Sequence, residues 1–188
     1  MHNNLCTAVF FLGLLTSALL SSSIVSAKGV FQSGPDFINE AFLEQGAQAE
    51  VLSKVLWLTD DIRQQAEKIL DRPVQGLRVR YSRSADKTAW ILEEIGKEMP
   101  ITIGVVVDQH KIVKVKILAY RESRGGEVRF PAYMAQYTGA TLTTRHKLDK
   151  SIDGITGATL SVWAVNKVAA LALYYHSQAV NKSVTPQK

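Results

Sequence analysis

From Leu160 to Tyr175 the chain runs nearly uncharged through Val162, Trp163, Val165, Val168, Leu171 and Leu173, interrupted only by Asn166 and Lys167. A run of this length and composition is a helix buried around most of its circumference, so the rest of the chain must supply something that covers it. Its unbroken apolar part falls short of the ~20 residues a membrane span needs, which makes the cover protein. Directly before it, Asp153-Gly-Ile-Thr-Gly-Ala-Thr159 breaks from a Lys/Arg/Thr-rich segment with two glycines, two threonines and a carboxylate. The stretch reads as a loop feeding a helix start. Unpaired N–H groups and the positive end of the helix dipole make such a start a natural seat for a phosphate. Gly157 and Ala158 are small enough to let a ligand reach that backbone, and Thr159 sets a hydroxyl beside it.

The cover is legible upstream as strands. Leu77 to Tyr81 alternates apolar residues with Arg, Thr88 to Ile95 carries Trp90 and Ile91, and Ile101 to Val107 is β-branched after Pro100. Ile112 to Tyr120 places Lys114 and Lys116 on the face opposite its apolar residues, and Asp108-Gln-His-Lys111 has the length and polarity to turn the last two runs into a hairpin. The pattern predicts an antiparallel sheet with one charged, wet face. Glu93 and Glu94, adjacent on a strand, point to opposite faces and do not cooperate. Thr59 is placed to cap a helix reaching about Asp71, with Asp60 and Asp61 at its positive end and Arg72-Pro73 stopping it. Ile62, Ala66, Ile69 and Leu70 share its inner side. With an arm carrying a short helix from Asp36 to Leu43, an aromatic helix from Phe130 to Tyr137 that ends at Gly139, and the long C-terminal helix reaching about His176, the fold class is α+β.

Composition removes several chemistries. Residues 1–27 hold an apolar core from Ala8 to Leu20, then serines and Val25-Ser-Ala27, the look of a secretory signal peptide cut after Ala27. The only cysteine, Cys6, lies within it, so the mature chain has no thiol, disulfide, Cys-ligated metal or c-type haem. His110, His146 and His176 are scattered without zinc-site spacing, and no metal is predicted. No Gly-x-Ser-x-Gly elbow is present, and no catalytic acid or base is assigned. The formal charge of +5 belongs entirely to the mature chain. It gathers before the motif, at Lys111, Lys114, Lys116, Arg121, Arg124, Arg129, Arg145, Lys147 and Lys150, an excess that suits an anionic cofactor or acidic partner. No nucleic-acid-binding motif accompanies it. Two further segments join the candidate site: the loop Tyr120-Arg-Glu-Ser-Arg-Gly-Gly-Glu127, with paired glycines beside Arg121 and Arg124, and the polar Ala140 to Lys150, where Thr141, Thr143 and Thr144 offer hydroxyls.

Asp153, Thr156, Gly157, Ala158 and Thr159 fill each specified position of Asp-x-x-Ser/Thr-Gly-Ala-Thr/Ser, the flavinylation motif of the FMN-binding domain family, which the chain resembles from about Val51 to about Tyr175. Members include subunits similar to the FMN carriers of the sodium-pumping NADH:quinone reductase. The resemblance implies that an FAD-dependent FMN transferase attaches FMN covalently to Thr159 as phosphoester-threonyl-FMN, with Asp153 orienting the loop or helping the transferase. Thr156 and the Gly157 and Ala158 backbone would position the phosphate. The family's Glu-containing, Gly-rich loop resembles Glu122, Ser123, Gly125 and Gly126, which are expected to bind cofactor. The resulting organisation is a signal peptide at 1–27, an arm at 28–50, an FMN-binding domain at 51–177 and a flexible tail at 178–188. The implied role is a periplasmic electron-transfer module serving redox partner proteins at the membrane or in the periplasm. A noncovalent FMN binder or assembly subunit is the alternative, and a basic docking domain for anionic membranes a third.

Overall fold

A computed structural model describes residues 29–43 and 50–181, so the expected leader and most of the expected tail lie outside the described residues. Five strands form one antiparallel meander in chain order: β1 Leu52–Trp57, β2 Arg78–Ser84, β3 Lys87–Ile95, β4 Pro100–Asp108 and β5 Lys111–Ala119. The hairpin expected at Asp108 to Lys111 is present, with Asp108 paired to Lys111 and both turn residues, Gln109 (φ 47°) and His110 (φ 60°), left-handed. That conformation matches the twist of the flanking strands. A second tight turn, Ala85-Asp86, joins β2 to β3, and Gly96 to Met99 joins β3 to β4.

Helix α2, Asp60–Leu70, lies between β1 and β2 in the chain and buries Ile62, Ala66 and Leu70. Thr59 stands at its N-cap, but the hydroxyl makes no capping bond. Arg63 donates to Val74 O and Gly76 O, tying down the segment after Arg72-Pro73. The C-terminal helix packs beside α2 on the same face of the sheet, over Trp90, Ile101, Ile103, Val105, Val107, Ile112 and Val115. Trp90 stacks on Tyr81 with centroids 4.5 Å apart and tilts against Tyr175 at 5.7 Å. Its indole donates to Thr88 Oγ1 (2.9 Å), which lies 2.8 Å from His176 Nδ1. Burial pushes the His176 pKa down to about 4, so this core histidine is neutral at physiological pH.

The other face departs from expectation. Instead of a wholly wet surface, its middle is covered by α1, Gly34–Phe42, whose Phe37, Ala41 and Phe42 pack with Ala89, Val106 and Leu118. Gly104 makes the close approach possible, because a Cβ there would lie 2.5 Å from Phe37 Cζ. The arm therefore has a structural task that its sequence does not announce. Glu40 of α1 draws in the two lysines expected to face water: Lys114 Nζ at 3.1 Å and Lys116 Nζ at 2.8 Å, with Gln32 Nε2 at 2.7 Å. The Lys116 hydrogen bond, then that of Gln32, hold the Glu40 pKa down at about 2, against an ordinary 4.5. A carboxylate depressed in the folded state contributes stability above its unfolded pKa and loses it as pH falls toward the folded value. Urea unfolding between pH 5 and about 2 should therefore show wild type losing a stability increment that Glu40→Gln never had.

Glu93 and Glu94 do face opposite ways: Glu94 is buried against Arg72 (2.8 Å), and exposed Glu93 accepts from Thr102 Oγ1. After β5 come a 3₁₀ turn at Gly126–Arg129, α3 at Pro131–Met134 and a second 3₁₀ turn at Ala135–Tyr137. The long helix α4, Thr159–Asn181, outruns its expected end near His176, and Gln178, expected to begin a loose tail, is helical. Ala179 continues the buried seam of Ala172 and Tyr175, and Arg83 donates to its carbonyl. Among the described residues, no helix is long and apolar enough to cross a membrane.

Candidate functional site

The loop before α4 is fastened by its backbone. Asp153 N donates to Gln136 Oε1 (3.0 Å), and Tyr133 Oη donates to Asp153 O (2.6 Å), so the turn that follows is hung from the 131–137 segment. Ala158 N donates to Ile155 O, closing a tight turn that passes through Gly157 at φ +80°. No atom lies within 4 Å of where a Gly157 Cβ would be, so glycine is required there by conformation and the space beside it is open. Val162 N donates to Ala158 O, which makes Ala158 the N-cap residue and Thr159 the first residue of the helix. Alanine has no side-chain acceptor, so the first-turn N–H groups go uncapped and face whatever lies in front of them.

In front of them is a cleft of about 560 Å³, lined by the Lys97-Glu98 turn, by Glu122, Ser123 and Arg124, and by Gly157 to Ser161. Its volume falls within the range of small-molecule sites, roughly 300–1,000 Å³. Lys97 and Arg124 bring positive charge to the mouth, and the helix dipole adds to it. The exposed Lys97–Glu98 pair at 3.3 Å contributes little.

The cleft wall is built by Glu122. Its Oε1 accepts from the N–H groups of Lys97 (2.6 Å), Glu98 (2.7 Å) and Met99 (2.9 Å), clamping the β3–β4 turn. Burial works to raise its pKa, and those three N–H groups outweigh it, holding the carboxyl below the usual range. An oxygen so engaged is a strut for the site. Tyr120 is the second strut: its hydroxyl donates to Arg124 O and lies 3.0 Å from Ser161 Oγ, linking the Gly-rich loop to the first turn of α4.

The structure brings Thr159, Gly157, Ala158, Glu122 and Ser123 to one cleft. Ala158 is small for a different reason from the one its sequence suggests. It is buried, and a Cβ on Gly125 would lie 2.6 Å from its own, so it packs against the loop and does not admit a ligand. Gly125 stands behind the cleft at φ +78°, and Gly126 opens the following 3₁₀ turn away from the cleft wall. The side chains of Asp153 and Thr156 are exposed and outside the cleft lining; Asp153 acts through its backbone. Thr141 and Thr143 bond to Asp149 and Lys147 within their own loop, and neither they nor Thr144 line the cleft. Arg121 turns away to Pro100 O and Thr102. Sequence reasoning missed the Lys97-Glu98 turn and Ser161. The Glu122 clamp spans a separation of 23 to 25 residues and Tyr120 to Ser161 spans 41, beyond the reach of any local spacing signal.

A meander covered by a buried helix, whose first turn opens on a cleft lined by Lys97 and Arg124 together with Glu98 and Glu122, defines an α+β domain with a candidate ligand site at a helix start. Residues 96–174 match the family model described as FMN-binding domain, so this part of the chain is similar to that family and flavin binding is the activity the match supports. The match starts at the β3–β4 turn, later than Val51, and includes both walls of the cleft. Comparison with curated proteins and with solved structures gave no match. The cleft fits the phosphate end of FMN on the chain's own evidence: three first-turn N–H groups without a side-chain cap, an open approach at Gly157, and Arg124 and Lys97 at the rim.

Proposed function

We propose that the protein is an exported electron-transfer module carrying FMN covalently, as a phosphoester on Thr159. One observation carries the reading: within the stretch that matches the FMN-binding domain model, the exposed first residue of α4 bears a hydroxyl on the wall of the cleft, beside uncapped N–H groups. In maturation Thr159 Oγ exchanges its hydrogen for the phosphorus of the FMN half of FAD, and AMP departs as the other half. The agent is an FAD-dependent FMN transferase. Thr159 supplies the attachment, the first turn of α4 and Arg124 hold negative charge, and Glu122 and Tyr120 fix the two loops against each other. Bound flavin supplies the redox chemistry. A tether suits a carrier outside the cytoplasm, where a loose cofactor diffuses away. The signal-peptide character expected of residues 1–27 supports that location, and the basic surface supports acidic redox partner proteins at the membrane or in the periplasm.

The test is coexpression with a flavin transferase, followed by denaturing electrophoresis of the periplasmic fraction. A fluorescent band, with intact mass raised by one esterified FMN, is expected. Fluorescence that vanishes on denaturation would instead establish the noncovalent reading.

A further inference from the structure

Over its first turns α4 leaves only one stripe unburied: Thr159, Leu160 and Trp163 exposed, then Asn166 and Lys167 half-buried. The spacing follows one helical face away from the acceptor hydroxyl. Trp163, 58% exposed, stands one turn beyond Thr159 and enters a second groove, of about 400 Å³, between α4 and the 146–150 segment. Its lining combines the apolar Ile69 and Leu148 and the indole of Trp163 with His146, Lys147, Lys150 and Lys167. Two of these ammonium groups are held in place, Lys150 by Thr138 O (2.5 Å) and Lys167 by Leu70 O (2.7 Å), and each keeps further N–H donors. No carboxylate lines this groove.

We infer that the isoalloxazine ring of the flavin esterified to Thr159 lies in this second groove against the indole of Trp163, and not in the cleft that seats its phosphate. The inference rests on the attachment reading and adds to it where the ring goes. The phosphate and ribityl chain together outreach one helical turn, about 5.4 Å, so Trp163 is within the tether's range. The groove's chemistry matches the ring at both ends. The dimethylbenzene end finds apolar side chains and an aromatic face to stack on, and the oxygen-bearing end finds ammonium donors. The first cleft offers the opposite: it has no aromatic lining, and it carries the carboxylates of Glu98 and Glu122. Its cations and helix N–H groups suit the phosphate and leave the ring without a partner.

An indole in contact with a flavin quenches its emission, which provides a readout independent of electron-transfer activity. Flavinylated Trp163→Ala should keep its fluorescent band on a denaturing gel, while native flavin emission rises severalfold over wild type. Trp163 is largely exposed, so the variant should fold, with circular dichroism as the check. Trp57→Ala is the control, since Trp57 is exposed to a similar degree (56%) on β1 and lines neither groove. Native emission unchanged by Trp163→Ala, or raised equally by Trp57→Ala, overturns the ring's placement and leaves the attachment standing. Absence of any band from wild type overturns attachment and placement together.

Discussion

Thr159→Ala should give a folded, soluble protein that carries no covalent flavin. The hydroxyl it removes is exposed and hydrogen-bonds to nothing among the described residues. Alanine is tolerated at a first helical position, so the stability change should stay within about 0.5 kcal/mol. The neighbouring hydroxyls cannot take over. Ser161 Oγ is buried against Tyr120 Oη, and Thr156 sits in the preceding turn, outside the cleft. Thr159→Ser keeps an oxygen at the same place and should retain the adduct. Intact mass of each variant, produced with a flavin transferase, reads the result directly. An adduct persisting in Thr159→Ala, or mapping to Thr156 by peptide mass, would remove the reading of α4's first residue as the acceptor.

What was legible in the sequence follows from the range of the interactions involved. The run after Thr159 announced a buried helix because nearly every position is apolar, and 14 of its residues are buried. The β4–β5 hairpin was legible because its turn is local and polar. β1 is not legible as a strand in the sequence, since only Leu56 of Leu52–Trp57 is buried and an edge strand shows little alternation. The task of α1 was hidden because it depends on Gly104, a residue remote in sequence whose missing side chain makes room for Phe37. The site divides in the same way. The motif gave the acceptor and the helix start, while the partners that shape the cleft come from the β3–β4 turn and from Tyr120, whose contacts arise only when the sheet forms. Ala158 shows the limit most clearly. A small residue in a motif fits a ligand approach and a packing contact equally well, and only the neighbour across from it decides.

That neighbour supplies the second large effect. Gly125→Ala introduces a Cβ 2.6 Å from Ala158 Cβ and 2.9 Å from Tyr120 Oη, at a backbone φ of +78°. The left-handed conformation costs a non-glycine residue about 1–2 kcal/mol, and overpacking a well-filled contact about 1–3 kcal/mol. A loss of about 2–5 kcal/mol follows, equivalent to roughly 4–20 °C in Tm for a domain of this size. The adjacent Gly126→Ala is the contrast, since its Cβ would meet nothing nearer than Arg129 Nε at 3.7 Å and its φ is not left-handed; it should be close to neutral. Because Gly125 presses on the N-cap of α4, its substitution should also displace Thr159 and lower the yield of flavin attachment, which Gly126→Ala should leave alone. A double-mutant cycle separates the two costs. Adding Ala158→Gly removes the shortest contact, so the pair should recover part of the overpacking loss and retain the left-handed cost together with the 2.9 Å approach to Tyr120 Oη. Equal melting temperatures for Gly125→Ala and Gly126→Ala, or strict additivity in the cycle, would show that the Gly-rich loop does not bear on the start of α4, and that the acceptor is positioned without it.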